Sequence, residues 1–152
     1  MLSFYRYASC PVCNLRIQRL IAEHSRLDAL GLAVVAVFQS PVESIREHVG
    51  RQDAPFPIVA DPEMSFYRDY GVEARWRSLF TVDVTKAALQ AFRRGFLPGR
   101  VDGPFQRTPA DFLIDSQGIV DVAYYGRDIN DHLAVEEVVS WLTSPRLNDT
   151  PV

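Results

Sequence analysis

The chemistry available to this 152-residue chain is concentrated in Cys10-Pro11-Val12-Cys13, which contains both of its cysteines. A thiolate is a strong nucleophile, and two intervening residues leave the second sulfur able to resolve a mixed disulfide formed at the first. The pair falls where a strand-like segment meets a helix-like one. Unpaired N–H groups and the helix dipole at such a junction favour thiolate over thiol. Free cysteine has a pKa of about 8.5, whereas helix-N-terminal cysteines of this spacing fall to roughly 3.5–7.5. The plain alternative is that both are small buried core residues. Their isolation and their position at the turn favour redox chemistry, which requires two sulfurs open to solvent and close enough to bond. Cysteines this near in sequence cannot staple a fold. A zinc site would need two more ligands, and His24, His48 and His132 are scattered without ligand spacing. Neither metal nor cofactor is expected.

The elements that must position the pair follow from the pattern around it. Residues 2–7 read as a strand carrying the aromatics Phe4, Tyr5 and Tyr7. From Val12 to about Leu30 the period is helical: Leu20, Ile21, Leu27 and Leu30 share a face, Arg16, Arg19, Glu23 and Arg26 lie elsewhere, and Gly31 ends the helix. The continuous apolar run 32–38 predicts a central parallel strand covered on both faces. Ser40 as cap and Pro41 at the first helical position open a helix that reaches Gly50. Residues 56–60 make a short buried strand, followed by a helical turn from Asp61-Pro62 to Gly71.

Residues 72–108 read as an insertion, with a helix at about 84–96 and a Gly/Pro-rich loop at 97–104, suited to form part of a substrate wall. Strands at 111–114 and 119–125, joined by Asp115-Ser116-Gln117-Gly118, make a β-hairpin, and a last helix covers about 130–142. This order implies an α/β fold, a mixed five-stranded sheet flanked by helices on both faces. Active sites of such sheets lie beyond the carboxyl ends of the central strands, where Cys10 sits.

The length suits one domain over residues 1–144, with 145–152 as a frayed tail. Hydrophobic residues at 47% and charged residues at 23% exclude a disordered or fibrous chain. A formal net charge of −3 offers no attraction to phosphate backbones or anionic lipid, so neither nucleic acid nor membrane is an expected partner. The longest apolar run is too short to span a bilayer, and the expected location is cytoplasmic.

Residues 2–13, an aromatic strand running into a Cys-Pro-x-Cys helix start, resemble the thioredoxin superfamily. The closer likeness is to its peroxiredoxin-like branch, the alkyl hydroperoxide reductase/thiol-specific antioxidant (AhpC/TSA) family. Phe56-Pro57-Ile58-Val59-Ala60-Asp61-Pro62 with Tyr70-Gly71-Val72, and Pro109-Ala110-Asp111-Phe112-Leu113-Ile114-Asp115 with Gly118, extend the resemblance over most of residues 1–126. It implies a thioredoxin-like fold and a cis-proline at Pro109, packed against the cysteine pair. It further implies that Arg107 matches the arginine peroxiredoxins hold near the thiolate, where a fixed cation favours the anion and orients a peroxide oxygen. A solvated surface role for Arg107 is the plain alternative, since every basic residue except Lys86 is arginine.

Peroxiredoxins carry the reactive cysteine in a Pro-x-x-x-Thr-x-x-Cys pattern. That pattern would put proline at Arg6, threonine at Cys10 and the reactive thiol at Cys13, and only the cysteine agrees. In a thioredoxin-type reading the roles reverse, with Cys10 as nucleophile and Cys13 as resolver, and this assignment is preferred. Members of the branch often pair, so a homodimer is implied as well.

Other side chains receive no role. Arg6 alternates with the aromatics of the first strand and reads as structural. Tyr7 and the segment 76–80 read as core, and Glu23 and Asp28 as solvated helix carboxylates. The leading function is a dithiol–disulfide oxidoreductase exchanging electrons with protein or low-molecular-weight thiols and disulfides. The alternative is a peroxiredoxin-like peroxidase that reduces hydroperoxides through a sulfenic acid. A third is a thioredoxin-fold interaction or redox-sensing module whose surface groove binds a partner, a reading motivated by the 72–108 insertion.

Overall fold

Phe4 and Tyr5, neighbours at the end of the first strand, turn to opposite faces and are both fully buried, so this strand needs cover on two sides. The computed structural model, which describes residues 1–72 and 82–144, supplies it. Strands β1 (Leu2–Phe4), β2 (Val35–Phe38), β3 (Ile58–Ala60), β4 (Ala110–Ile114) and β5 (Val120–Tyr125) form one sheet in the order β3-β2-β1-β4-β5. β1, β2 and β3 run parallel, and β4 is antiparallel to both β1 and β5. The mixed five-stranded sheet is the expected one. Its central strand is β1 rather than the valine-rich β2, because the hairpin adds through β4 to the edge of β1 that β2 leaves free.

The helices are α1 (Pro11–Ala29), α2 (Val42–Glu47), α3 (Ser65–Asp69), α4 (Val82–Arg93) and α5 (Val135–Thr143), with a 3-10 turn at Val49–Gln52. Ile17, Leu20 and Leu27 of α1 pack with Tyr5, Phe38, Ile45 and Val138 in one cluster. Tyr67 of α3 packs on the opposite cluster with Phe4, Val37 and Phe112. The Phe4 ring meets Tyr67 edge-on at 5.0 Å and Phe112 at 5.7 Å. Truncating such a buried aromatic costs roughly 3–5 kcal/mol, which makes these contacts the anchor of the central strand.

Several expectations are corrected. Arg16 turns inward, where its guanidinium donates to the Leu133 carbonyl at 2.8 Å, and Leu30 is 40% exposed. The 3.6-residue period aligns positions 16, 20 and 27, so the arginine stem lies on the core face. Ser40 does not cap α2. That helix starts at Val42, and the Ser40 hydroxyl accepts the Ala8 N–H at 2.8 Å. α5 begins five residues later than expected because the buried Asp111 carboxylate accepts the Leu133 N–H at 2.7 Å and faces His132 at 3.1 Å, which holds residues 130–134 as a loop.

Gly31 ends α1 with φ of +80°, the left-handed geometry its position calls for. Within the segment read as an insertion, α4 packs along α1 and residues 96–106 return across the Cys10 end of the sheet. The aromatic segment 76–80 and the tail 145–152 lie outside the described residues.

Candidate active site

Cys10 is the N-cap of α1, in an extended backbone conformation with Pro11 next at the first helical position. Its sulfur accepts the Cys13 N–H at 3.4 Å, the bond an N-cap oxygen usually makes. The turn before it is closed by its own polar groups. Cys10 N–H donates to the Tyr7 carbonyl at 3.0 Å, and the Asn14 amide donates to the carbonyls of Ala8 (2.7 Å) and Cys10 (2.9 Å). The Gln52 amide in turn donates to Asn14 Oδ1 at 2.9 Å. With these groups satisfied, the sulfur is held in one place rather than on a loose loop.

The other donor at the sulfur is Arg6, whose Nη1 lies 3.6 Å from Cys10 Sγ. Its Nη2 donates to the Phe105 carbonyl, and the guanidinium carbon sits 4.9 Å from the Tyr7 ring centroid and 4.7 Å from that of Phe105. Arg6 is 2% exposed. Read from sequence as structural, it is instead the cation at the candidate nucleophile. The signal was its place at the carboxyl end of a central strand four residues before Cys10, where a charge has no route to water.

Burial opposes ionisation of Cys10. The Cys13 thiol, the Arg6 guanidinium and the N–H groups of Cys13 and Val12 outweigh burial and bring the pKa down to about 7. Cys13 moves the other way, well above the ordinary thiol value, because it is buried and its proton is engaged by the Cys10 sulfur. The two sulfurs therefore divide the roles, an anion at Cys10 and a hydrogen-bond donor at Cys13.

The sequence pattern called for sulfurs open to solvent, and they are not: Cys10 is 1% and Cys13 2% exposed. Residues 96–106 fasten over this end of the sheet. The Ser9 hydroxyl donates to the Arg100 carbonyl at 2.6 Å, the Gln39 amide to the carbonyls of Asp102 (2.6 Å) and Pro104 (3.1 Å), and the Ser44 hydroxyl to Asp102 Oδ2 at 2.6 Å. Composition marked this segment as a loop but not where it folds. Beside it opens a cleft of about 540 Å³ whose lining includes Ser9, Asn14, His48, Gln52, Phe96 and Leu97.

Arg107 is buried, so its surface reading fails, and its hydrogen bonds lead away from the sulfurs. It donates to Gln39 Oε1 at 3.2 Å and to the Val72 carbonyl, and it stands over the Tyr67 ring at 4.9 Å. Through Gln39 it supports the covering segment. The bond before Pro109 is trans, contrary to the cis geometry the resemblance implied, and the Pro109 carbonyl accepts the Gly126 N–H at 2.9 Å. That pairing extends the β4–β5 ladder, and the extended chain entering β4 is compatible with the ordinary trans isomer. Among the described residues no group of three His, Cys, Asp or Glu side chains can hold a metal ion, and no helix is long and apolar enough to cross a membrane.

The sequence model of the AhpC/TSA family matches residues 1–123. The chain belongs to the AhpC/TSA family. No curated protein sequence matches it significantly. Solved structures similar to this AhpC/TSA protein include a cysteine-to-serine mutant of peroxiredoxin 6 from Arenicola marina, with TM-score 0.67 and 13% identity over 93% of this chain and 58% of that one. The present chain thus spans little more than half the length of that peroxiredoxin. Peroxidoxin BcpB of Mycobacterium tuberculosis superposes with TM-score 0.64 and 14% identity over 95% of this chain and 79% of its own. A protein from Chlorobium tepidum described as a putative thiol:disulfide interchange protein DsbE gives 0.58 and 20%, over 93% and 77%. At these identities the likeness establishes the fold, which is thioredoxin-like. Family and site together make this AhpC/TSA member a thiol-based redox protein.

Proposed function

We propose that this AhpC/TSA protein reduces hydroperoxides, with Cys10 as the attacking thiolate and Cys13 as the resolving thiol. The observation that carries the reading is the Arg6 guanidinium 3.6 Å from the sulfur of Cys10, the N-cap of α1, a fixed cation beside the candidate nucleophile. The sulfurs are 1% and 2% exposed, short of the solvent access that redox chemistry requires, so residues 96–106 must lift before an oxidant reaches them, and a small hydroperoxide needs a narrower opening than a protein disulfide. Family membership and the peroxiredoxins among the similar folds support the same reaction, reversing the order in which sequence alone ranked the two functions.

Cys10 S⁻ attacks the terminal oxygen of the hydroperoxide, the O–O bond breaks, and the departing alkoxide takes a proton, leaving Cys10 as a sulfenic acid. Arg6, beside the sulfur, stabilises the anion before attack and the charge that develops on oxygen. Cys13, already hydrogen-bonded to Cys10, loses its proton and attacks the Cys10 sulfur. The S–O bond breaks, water leaves, and a Cys10–Cys13 disulfide results. The sum is dithiol plus hydroperoxide to disulfide plus alcohol and water. A protein or low-molecular-weight dithiol restores the reduced pair, and a reducing cytoplasmic compartment is the setting this cycle suits.

Thiol–disulfide exchange is the second reading, favoured by the two-residue spacing and by the more acidic first sulfur. It needs the covering segment to open wide enough for a partner protein. Stopped-flow mixing of the reduced protein with hydrogen peroxide and with cumene hydroperoxide separates the two. Rapid formation of one disulfide per peroxide is expected, with the rate rising through pH of about 7 and abolished in Cys10→Ser. Slow thiol loss with both hydroperoxides, alongside fast reduction of an oxidised protein disulfide, overturns the proposal in favour of exchange.

A further inference from the structure

Arg107 is a buried cation that the proposed reaction does not use. It is 7% exposed, and a guanidinium held out of water needs compensating charge. Burial pulls its pKa below the ordinary arginine value, with Tyr67 and Asp61 acting the other way. Neither is free to serve as its counter-ion. Asp61 already accepts the N–H groups of Ser65, Phe66 and Tyr67 and the Ser65 hydroxyl. Tyr67 stays protonated, because burial raises its pKa well above the phenol value and its hydroxyl donates to the Tyr5 carbonyl at 2.6 Å.

The partners that Arg107 does have are neutral. Nε donates to Gln39 Oε1 at 3.2 Å, Nη1 to the Val72 carbonyl and Nη2 to the Met64 sulfur at 3.2 Å. A guanidinium carries five N–H groups, so two are left over among the described residues. A thioether is a weak acceptor, which makes the Nη2 bond a poor one for a cation. The backbone is nevertheless strained where it presents that sulfur. Met64 has φ of +57°, in the left-handed region that a side chain with no polar group for the local backbone rarely enters. Met64 and Arg107 line a cleft of about 660 Å³ beside Tyr67 and Val72. Arg68 lines it as well, donating to the Glu63 carbonyl at 2.6 Å, and Glu63 brings the one carboxylate on its wall among the described residues.

We propose that this cleft is a second binding site, which takes a small molecule by a carboxylate or phosphate group seated on Arg107 and steadied by Arg68. The group supplies the negative charge that the buried guanidinium lacks. Its oxygens suit the two unused N–H groups, in the planar arrangement that arginine offers to carboxylate and phosphate. Arg68 adds a cation at an exposed position, so the cleft holds two positive charges against one negative. Its volume admits more than the anion itself, and the apolar surface of Pro62 and Val72 is there to meet the remainder. The site lies on the Tyr67 side of the sheet and its chemistry is binding alone, so it stands whether or not the cysteines reduce hydroperoxides.

The two methionines of the chain provide a direct reporter. Met64 touches Arg107, whereas Met1 is buried in the opposite cluster. Protein with isotopically labelled methionine methyl groups is titrated by nuclear magnetic resonance with inorganic phosphate and, separately, with acetate, at an ionic strength held constant with sodium chloride. The expected result is a saturable shift of the Met64 methyl signal with Met1 unmoved. A response to phosphate alone assigns phosphate-bearing ligands, a response to acetate alone assigns carboxylates, and a response to both assigns the shared oxyanion chemistry. Arg107→Gln should abolish the shift. Arg68→Gln, at an exposed position that does not threaten the fold, should raise the half-point about tenfold. Arg127→Gln, in a different cleft, should leave it in place. No Met64 shift with either anion, a shift that chloride reproduces, or an unchanged half-point in folded Arg107→Gln or Arg68→Gln overturns the proposal.

Discussion

Two sulfurs buried to the same degree ionise differently because of the direction of their hydrogen bonds. Cys10 accepts from Arg6, from the Cys13 N–H and from the Cys13 thiol, whereas Cys13 is the donor in the bond they share. The asymmetry is measurable residue by residue. Alkylation followed by mass spectrometry should modify Cys10 with a midpoint at pH of about 7 and leave Cys13 unmodified until well above the ordinary thiol range. Cys13→Ser keeps a donor and should hold the Cys10 midpoint nearly in place, while Cys13→Ala removes it and should move the midpoint upward. Parallel titration of both thiols near free cysteine would contradict the division of roles.

At the scale of elements, the site is a contract between the start of α1 and a segment some ninety residues later in the chain: Ser9 is bonded to Arg100 across 91 positions. The covering segment approaches so closely at Gly99 that an added Cβ would lie 2.9 Å from Ser9 Cβ and 2.8 Å from His48 Nε2. Ser9 is fixed by its turn and cannot retreat, so Gly99→Ala should push the segment outward. The expected outcome is faster alkylation of Cys10 at pH 7, by about tenfold, with a loss of stability of roughly 1–3 kcal/mol in urea unfolding. Unchanged alkylation with the stability loss present would mean that this stretch does not control access.

Across the whole molecule, the buried carboxylate of Asp111 joins elements that share no local sequence. It receives Ser3 of β1, the Leu133 N–H and His132 before α5, and Leu133 in turn accepts from Arg16 of α1. Burial raises its pKa, and the opposing influence of His132, Arg16 and Ser3 prevails, holding it at about 2. A carboxyl group whose folded pKa lies below its unfolded value stabilises the fold fully above the unfolded value, near 3.8, and loses that contribution as pH falls toward 2. The loss amounts to about 2 kcal/mol. Asp111→Asn should be less stable at neutral pH and should lack this acid-side slope, as read from urea midpoints between pH 2 and 5. By contrast, the Arg26–Glu136 pair at 2.8 Å is largely exposed, and its removal should shift those midpoints little.

What the amino-acid sequence determined by itself was local. Apolar runs and period placed β1, α1, β2 and the hairpin within a few residues, the glycines at 31 and 118 sit at φ of +80° and +83° where turns were read, and the cysteine pair falls at the helix start as its spacing implied. These features depend on neighbours a few positions apart. The closed site, the inward turn of Arg16, the trans bond at Pro109 and the choice of Arg6 over Arg107 were decided only in three dimensions. Arg6 meets Phe105 across 99 positions and Arg107 meets Gln39 across 68. Which cation a sulfur sees depends on how distant segments close over it, and no pattern of adjacent residues encodes that distance.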